Sequence, residues 1–383
     1  MAFYLAFKEV WRNRGRFFLF SLVIALITTL VLFIAALGEG LATANKEYLS
    51  KVDAQLIAFQ ANVKLSANTS QINETKVNDI ARVEGVENVG TVGLSSAEMV
   101  FANGHPNLSI SLIGLEAGKP GTPKLTAGKD LEYNKASQVI IDGHIASKEN
   151  VQVGDTIRIK SIQDTKEKFF DLQVVGITDS QQYQFNPSIF MPRLTWDRVR
   201  SQQTGRSLVE LVSNIVLIKV KDPAQSQVVA SRIQNQVSDV EVVDIEKAIL
   251  AIPGYTAQQS TLNTQQFFTL LIGVLVIGGF FQIQILQKVP QIGVLKAIGA
   301  SNLTVGTAVV FQIILVTVFG VLLGSVVTFL LALGLPTNIP IVFSGNSVLM
   351  ALLALFAIGP IGGLVSVRAA VSVEPLAALG LSS

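Results

Sequence analysis

The stretch that decides the fold is FFLFSLVIALITTLVLFIAAL, residues 17–37, which runs for 21 residues without a charge. A membrane-spanning helix needs roughly 20 mostly apolar residues. Three further stretches meet this requirement, at residues 267–286, 303–333 and 348–367. The sequence therefore predicts four transmembrane helices in a lipid bilayer, of which the third is long enough to tilt or to extend past the hydrocarbon.

A secretory signal peptide is the alternative for the first stretch, because Arg12, Arg14 and Arg16 precede it. The apolar part of a signal peptide spans only about 7–15 residues and ends at a small-residue cleavage site. The stretch at 17–37 is longer than that. We therefore expect a permanent anchor.

The composition agrees with a chain that lies partly in lipid. Half of the residues are hydrophobic and only 15% are charged, whereas soluble domains carry about 25% charged residues. A net charge of +2 gives no reason to expect nucleic acid as a partner. Cysteine is absent, which excludes disulfides, thiolate metal sites and cysteine nucleophiles.

The distribution of lysine and arginine predicts the orientation. The cations in the short flanks are Lys8, Arg12, Arg14 and Arg16 before the first span, Lys288 and Lys296 between the second and third, and Arg368 after the fourth. The short loop at 334–347 carries no charge. Because cations favour the cytoplasmic side, we expect both termini, including the tail 368–383, and the segment 287–302 in the cytoplasm. Residues 38–262 are then outside.

Residues 1–16 predict a short amphipathic helix on the inner membrane surface. Phe3, Phe7, Val10 and Trp11 share one helical face, and polar residues lie away from it. A frayed polar start to the first span is the alternative.

The outer segment, 38–262, predicts an α+β domain with its own core. We expect strands at 55–65, 86–92, 98–101, 108–114, 138–141, 156–162, 169–175, 214–220 and 240–243, and helices at 75–82 and 223–237. At its two ends, residues 41–52 and 256–266 are expected to extend the first and second spans as helical stalks. Two such stalks would suit the transmission of motion.

Motifs for catalysis are missing from the sequence. There is no G-x-x-x-x-G-K-[ST] phosphate loop, no H-E-x-x-H and no G-x-S-x-G. The two histidines, His105 and His144, stand beside turn residues and predict solvated side chains rather than metal ligands. We expect a membrane component without catalytic or metal sites, whose energy comes from elsewhere.

The segment between the second and third spans reads QKVPQIGVLKAIGAS, residues 287–301. Ile292, Leu295 and Ile298 recur at helical spacing between Pro290 and Gly299, which predicts a short helix with an apolar face. It is either an ordinary turn between spans or a docking element.

The run IGVLKAIGAS, residues 292–301, resembles the coupling segment of FtsX-like permeases, the membrane subunits of MacB-type ABC transporters. The resemblance extends over nearly the whole chain. Similar motifs are AFKEVWRN at 6–13, VIIDG at 139–143, VGDT at 153–156, VVGI at 174–177, VRAA at 367–370 and EPLAAL at 374–379.

The resemblance implies the MacB-type permease fold and a homodimer in a bacterial cytoplasmic membrane, paired with two copies of a separate ABC ATPase subunit. The coupling residues would be Gln291, Ile292, Leu295, Lys296 and Ile298. Many family members have an acidic residue where this chain has Gln291, so apolar contacts would carry more of the docking. The family works by mechanotransmission, in which ATP-driven closure moves the outer domains. ATP would be bound only through the partner.

Within the family, the chain is most similar to the HrtB-like permeases, which export haem. The similar features are GEGL at 38–41, PGY at 253–255, and Gln287, Lys288 and Gln291 at the turn. Glu39 and Tyr255 are expected near the outer membrane surface, where an anionic oxygen could ligate ferric iron. Alternatively, Glu39 marks the membrane boundary and Tyr255 is an interfacial anchor. Haem would be a substrate, not a cofactor.

Three functions remain open from the sequence. The first is export of haem or another amphipathic molecule. The second is MacB-like efflux of peptides, antibiotics or lipids with a periplasmic adaptor. The third is FtsX-like regulation of an extracellular hydrolase.

Overall fold

The computed structural model describes residue 8 and residues 11–101, 106–132, 137–201, 211–335 and 339–373. Most of the amphipathic helix expected at 1–16 lies outside these residues, as do His105 and the ending at 374–379. The chain divides into two compact units. One unit, here called the membrane unit, comprises residues 1–41 and 259–383; the other, the outer domain, comprises residues 42–258.

Within the described part of the chain, four helices are long and apolar enough to cross a membrane. They are α1 (Arg14–Lys51), α7 (Tyr255–Ala297), α8 (Asn302–Gly334) and α9 (Gly345–Val371), and each includes one of the predicted spans. At the α-helical rise α1 is roughly 57 Å long, almost twice the hydrocarbon thickness of about 30 Å. Both α1 and α7 therefore have a long extension beyond the bilayer core.

The core of the membrane unit contains side chains from all four helices. Members include Phe17, Ile24 and Val31 of α1, Ile277 and Phe281 of α7, Val309 and Ile313 of α8, and Leu355 and Ile358 of α9. Other large apolar side chains, such as Leu275, Leu322 and Leu364, are more than half exposed. Such a broad exposed apolar surface is expected for helices that face lipid.

Glycines allow the membrane helices to approach closely, as small residues commonly do in membrane proteins. A Cβ added at Gly324 of α8 would lie 2.5 Å from the carbonyl oxygen of Ala25, and one at Gly278 of α7 would lie 2.8 Å from that of Gly362. The neighbouring Gly279 faces open space, with no atom within 4 Å of an added Cβ. Only one of these adjacent glycines is therefore needed for packing.

The predicted short coupling helix is not a separate element. Helix α7 continues through Pro290 and ends at Ala297, so the expected boundary at Pro290 was wrong. A proline inside a helix removes one hydrogen bond. Ile285 before it and Ile292 after it both lie in the core of the membrane unit, and this packing on either side holds the helix together.

The outer domain is built on a mixed β-sheet that contains ten strands among the described residues. In chain order its strands are β1 (Leu56–Gln60), β3 (Val86–Val100), β4 (Leu108–Leu115), β5 (Leu125–Gly128), β6 (Gln138–Ile141), β7 (Thr156–Gln163), β8 (Lys166–Thr178), β9 (Ser188–Pro192), β11 (Ile215–Val220) and β12 (Val240–Asp244). The main path runs β12-β1-β11-β3-β4-β9-β6-β8-β5, and β7 pairs with β3 and β8. The pairs β4–β9 and β6–β8 are parallel. Strands β2 (Ile72–Asn73) and β10 (Val212–Ser213) form a separate pair.

Short helices cover this sheet. They are α2 (Glu74–Arg82), α3 (Gly143–Glu149), α4 (Arg193–Val199), α5 (Ser226–Gln236) and α6 (Ile245–Leu250), with a 3₁₀ turn at Pro223–Gln225. Trp196 of α4 packs directly on Gly93 and Gly114, where an added Cβ would lie within 2.5 Å of the ring or its Cβ. The predicted fold class, four transmembrane helices with an α+β domain between the first and second, is confirmed.

The adjacent glycines of α7 give a direct test of helix packing. We expect Gly278→Ala to destabilise the protein by about 1–3 kcal/mol, because the new methyl overlaps the backbone of α9. We expect Gly279→Ala to be neutral or stabilising by up to about 1 kcal/mol, because alanine favours the helix. Thermal unfolding of both variants in lipid nanodiscs measures the difference. Equal melting temperatures would contradict the close approach of α7 and α9.

Candidate substrate and coupling sites

Glu39 lies near the end of the membrane-spanning part of α1, against the segment that leads into α9. Its Oε2 accepts a hydrogen bond of 2.8 Å from Ser347 Oγ. Ser344, the N-cap of α9, donates in turn to Ser347 Oγ at 2.9 Å. The carboxylate is therefore held at the positive end of a helix dipole, a favourable position for a negative charge.

The backbone around Glu39 fits the same segment closely. The Val342 N–H donates to the carbonyl of Ala36 at 3.1 Å. A Cβ added at Gly40 would lie only 1.9 Å from the carbonyl oxygen of Pro340. The glycine after Glu39 is thus required for this contact, and Glu39 has a fixed, half-buried position in the membrane unit.

Tyr255 begins α7 and belongs to the outer domain. Its side chain is only 7% exposed and lies in a core cluster with Tyr48 and Ile252. The expected interfacial anchor is therefore wrong, because protein side chains surround this ring. Glu39 and Tyr255 belong to different units, and each is placed within its own. Their role as haem ligands stays a prediction.

The residues expected to contact an ATPase divide into two groups. Ile292 is 9% exposed and Leu295 packs against the core of the membrane unit, so neither offers an exposed docking surface. Lys296 donates to the carbonyls of Val371 and Val373, at 2.6 and 2.8 Å, near the end of α9. This contact ties the end of α7 to the end of α9.

The exposed face at this end of α7 carries different apolar residues. Gln291 is exposed, Val294 is 48% exposed and Ile298 is 78% exposed. The apolar spacing predicted Ile298 but not Val294, because spacing alone does not show which face of a helix the other spans cover. Val294 and Ile298 form what we call the exposed coupling face.

The end of α1 within the outer domain is held by a charged cluster. Glu47 accepts hydrogen bonds from Lys51 Nζ at 2.9 Å and from Ser180 Oγ, and Lys51 also pairs with Asp179 at 2.9 Å. Burial alone would lower the pKa of Lys51, but its bonds to Asp179 and Glu47 outweigh that effect and raise the pKa. The Lys51 ammonium group is therefore charged at neutral pH.

Backbone hydrogen bonds join the same part of α1 to the segment at 182–185. The Tyr48 N–H donates to the carbonyl of Gln182, and the Phe185 N–H donates to the carbonyl of Ala44, each at 3.0 Å. With the charged cluster, these bonds fix the last turns of α1 to the outer domain.

His144 has a structural partner in the outer domain. Its Nδ1 lies 3.1 Å from Oδ1 of the fully buried Asp142, and this hydrogen bond raises the pKa of His144. The ring is about half exposed. Among the described residues, no group of three or more His, Cys, Asp or Glu side chains could hold a metal ion.

Two family models match the chain, one over its N-terminal part and one over its C-terminal part. Residues 17–236 match the MacB-like periplasmic core domain, which is more than half of the chain, and residues 266–375 match the FtsX-like permease C-terminal region. The chain belongs to the MacB/FtsX-like permease family. As a member of it, the chain is a multi-pass membrane protein and a permease of the ABC-transporter type.

Several curated proteins are similar to this permease. It is 29% identical to the putative hemin transport system permease protein HrtB of Staphylococcus haemolyticus, over 98% of this chain and 99% of that protein. It is 24% identical to the HrtB of Staphylococcus epidermidis, with the same coverage. It is 21% identical to the macrolide export ATP-binding/permease protein MacB of Vibrio parahaemolyticus, over 98% of this chain and 59% of that protein.

Two solved structures match part of the permease. One is the extracellular domain of the noncanonic ABC-type transporter YknZ from Gram-positive bacteria, with 14% identity and a TM-score of 0.36 over 50% of this chain and 98% of that one. The other is the periplasmic region of MacB from Actinobacillus actinomycetemcomitans, with 15% identity and a TM-score of 0.36 over 52% of this chain and 92% of that one.

Proposed function

We propose that this chain is the permease subunit of an ABC exporter that moves haem, or a similar flat amphipathic anion, outward from the membrane. The observation that carries the proposal is the end-to-end similarity to the staphylococcal permeases named for hemin transport, which covers 98% of this chain and 99% of the relative. We propose that both termini and the exposed coupling face lie in the cytoplasm, as the positive flanks favour.

The energy for export comes, in this proposal, from a separate ATPase. The similar MacB protein is named as both ATP-binding protein and permease, and this chain matches only 59% of it. This chain has no phosphate-loop motif of its own. We therefore propose a permease homodimer that binds two ATPase subunits through Val294 and Ile298.

Export by mechanotransmission is the mechanism that we propose. Helices α1 and α7 are each unbroken from residues of the membrane unit into residues of the outer domain. The cluster of Glu47, Lys51 and Asp179 fixes the far end of α1. Breaking a partly buried charged cluster leaves a charge without its partner, which is costly. A displacement of α1 would therefore move the outer domain rather than separate from it.

Glu39 is the residue that we propose for substrate contact. Ser347 holds Oε2 of its carboxylate, and an anionic oxygen is a suitable ligand for ferric haem iron. Haem would enter laterally between the first and second spans of two subunits. Tyr255 is buried in the outer domain, so any contact of its own with a substrate would require the ring to leave that position.

The proposed substrate is tested by titrating haemin into the purified chain in lipid nanodiscs and following the Soret band. We expect a Soret shift with the unmodified chain. Glu39→Gln should weaken binding by at least about tenfold, since it removes the anionic ligand but keeps an acceptor for Ser347. Glu246→Gln is the matched control, because it removes an exposed carboxylate of the outer domain and should keep the Soret shift.

A titration without any Soret change in the unmodified chain would exclude haem. The similarity to the macrolide exporters would then favour efflux of another amphipathic molecule. A Soret shift that Glu39→Gln leaves unchanged would contradict the site but not the substrate.

The proposed binding of the ATPase subunit to the exposed coupling face can be tested separately. Ile298→Asp should reduce the ATPase that co-purifies with the tagged chain by about thirtyfold, the effect of losing an interface hot spot. Ile298→Val is the control and should retain the complex. Both should keep the melting temperature, because Ile298 is 78% exposed. Equal ATPase recovery with Ile298→Asp and Ile298→Val would show that docking lies elsewhere.

A further inference from the structure

One turn of α1 shares its backbone hydrogen bonds with a second segment of the outer domain, residues 182–185, which we call the strap. In a regular α-helix the Tyr48 N–H donates to the carbonyl of Ala44. Here the Tyr48 N–H donates to the carbonyl of Gln182 at 3.0 Å. The Ala44 carbonyl accepts from the Phe185 N–H, also at 3.0 Å. Because insertion of other groups into the hydrogen-bond ladder commonly kinks a helix, bending of α1 is easier at this turn.

The strap has a strained backbone. Gln184 and Phe185 have φ angles of 50° and 65°, in the left-handed region that few residues other than glycine, asparagine and aspartate adopt. For a bulky aromatic residue such a φ is a clear outlier. Tyr183 and Asn186 enforce this turn, because their backbone groups exchange two hydrogen bonds of 3.0 and 3.2 Å. Strain that the surroundings enforce is often found in segments that switch between conformations.

Asn45 adds a second cost to the same arrangement. Its carbonyl accepts from the Gln184 N–H at 3.2 Å, so it lies beside the strap. Its side chain is 1% exposed, and neither Oδ1 nor Nδ2 has a hydrogen-bond partner among the described residues. Burying an amide without a partner costs free energy. Three backbone hydrogen bonds therefore favour the contact between α1 and the strap, whereas the strained backbone and this amide oppose it.

We propose that this turn of α1 and the strap form a two-state device. In the bonded state, which is the one described above, the strap is hydrogen-bonded to α1. In the released state the Tyr48 N–H bonds only to the Ala44 carbonyl, and the strap withdraws and relaxes to negative φ angles. Water replaces the acceptors that the strap loses, since Phe185 is already 47% exposed. The two states are close in free energy because each one satisfies its backbone groups.

The neighbours of the strap determine what the release moves. At its start, the Gln182 N–H donates to Glu47 Oε2 at 3.3 Å, which keeps this end of the strap beside α1. At its other end the chain continues into β9 (Ser188–Pro192), a fully buried strand between β4 and β6 in the sheet. Release therefore links a bend in α1 to a displacement next to the middle of the sheet. The device requires no particular transport substrate.

Hydrogen exchange of the full chain in lipid nanodiscs, followed by mass spectrometry with residue-level fragmentation, tests the proposal. The Gln184 amide should exchange faster than the Tyr48 amide, because only the first loses its acceptor on release. Phe185→Gly should slow exchange at Gln184 roughly fivefold, since glycine adopts a positive φ without strain. Phe185→Ala is the matched control, because it removes the ring but keeps the strained Cβ. Asn45→Leu should also slow exchange at Gln184 roughly fivefold, since no amide is then buried without a partner.

Equal exchange at Gln184 in Phe185→Gly and Phe185→Ala would overturn the proposal, because the strap would then store no strain. Equal exchange rates at Gln184 and Tyr48 in the unmodified chain would also overturn it, since that pattern indicates local unfolding of the turn rather than a change of hydrogen-bond partner. Neither haemin nor an ATPase is present in these measurements. The two-state device and the proposed function can therefore fail separately.

Discussion

The structure depends first on the cost of placing charges and unpaired peptide groups in hydrocarbon. Without water, a spanning segment must satisfy its backbone internally, and helices do so. The polar side chains inside the spans follow the same constraint. Ser21 donates to the carbonyl of Val316, Thr29 to that of Gly324 and Ser366 to that of Gly278. These bonds reach neighbouring helices because small residues allow the backbones to approach.

The same constraint explains where charge accumulates. Cations that cannot enter the hydrocarbon lie in the flanks, and the fold gathers Lys8, Arg12 and Lys288 around one cavity. Within residues 14–41 of α1, the one carboxylate is that of Glu39. Ser347, at the start of α9, donates a hydrogen bond to it. Outside the bilayer, water removes the constraint. There Glu47 and Lys51 of α1 form a charged cluster with Asp179, which follows strand β8.

Much of the fold could be predicted because its signals are local. Residues 17–37 form an uncharged apolar stretch longer than the roughly 18 residues that indicate a membrane span. Strands such as Gln138–Ile141 and Thr156–Gln163 lie within a residue of their expected bounds. Other elements gave no such signal. Ser188–Pro192 is a fully buried strand with proline at its end, and α4 has only seven residues. The expected strands at 86–92 and 98–101 are one strand, Val86–Val100, because pairing with its neighbours continues through polar Ser95 and Ser96.

The candidate sites were predicted less well because they depend on tertiary contacts. The period of Ile292, Leu295 and Ile298 indicated one apolar face, but α8 and α9 cover part of it and leave Ile298 exposed. Tyr255 was expected at the membrane surface, whereas the core around Tyr48 and Ile252 encloses it. Neither result can be read from spacing, since both depend on residues far away in the chain.

The orientation across the membrane is the claim on which the proposed function rests, and single-cysteine labelling tests it most directly. The chain has no cysteine, so Lys221→Cys in the outer domain and Ile298→Cys on the exposed coupling face each give one reactive site. Both positions are exposed. With a membrane-impermeant maleimide, the account expects residue 221 to react in intact cells and residue 298 only after lysis. The reverse pattern would contradict it.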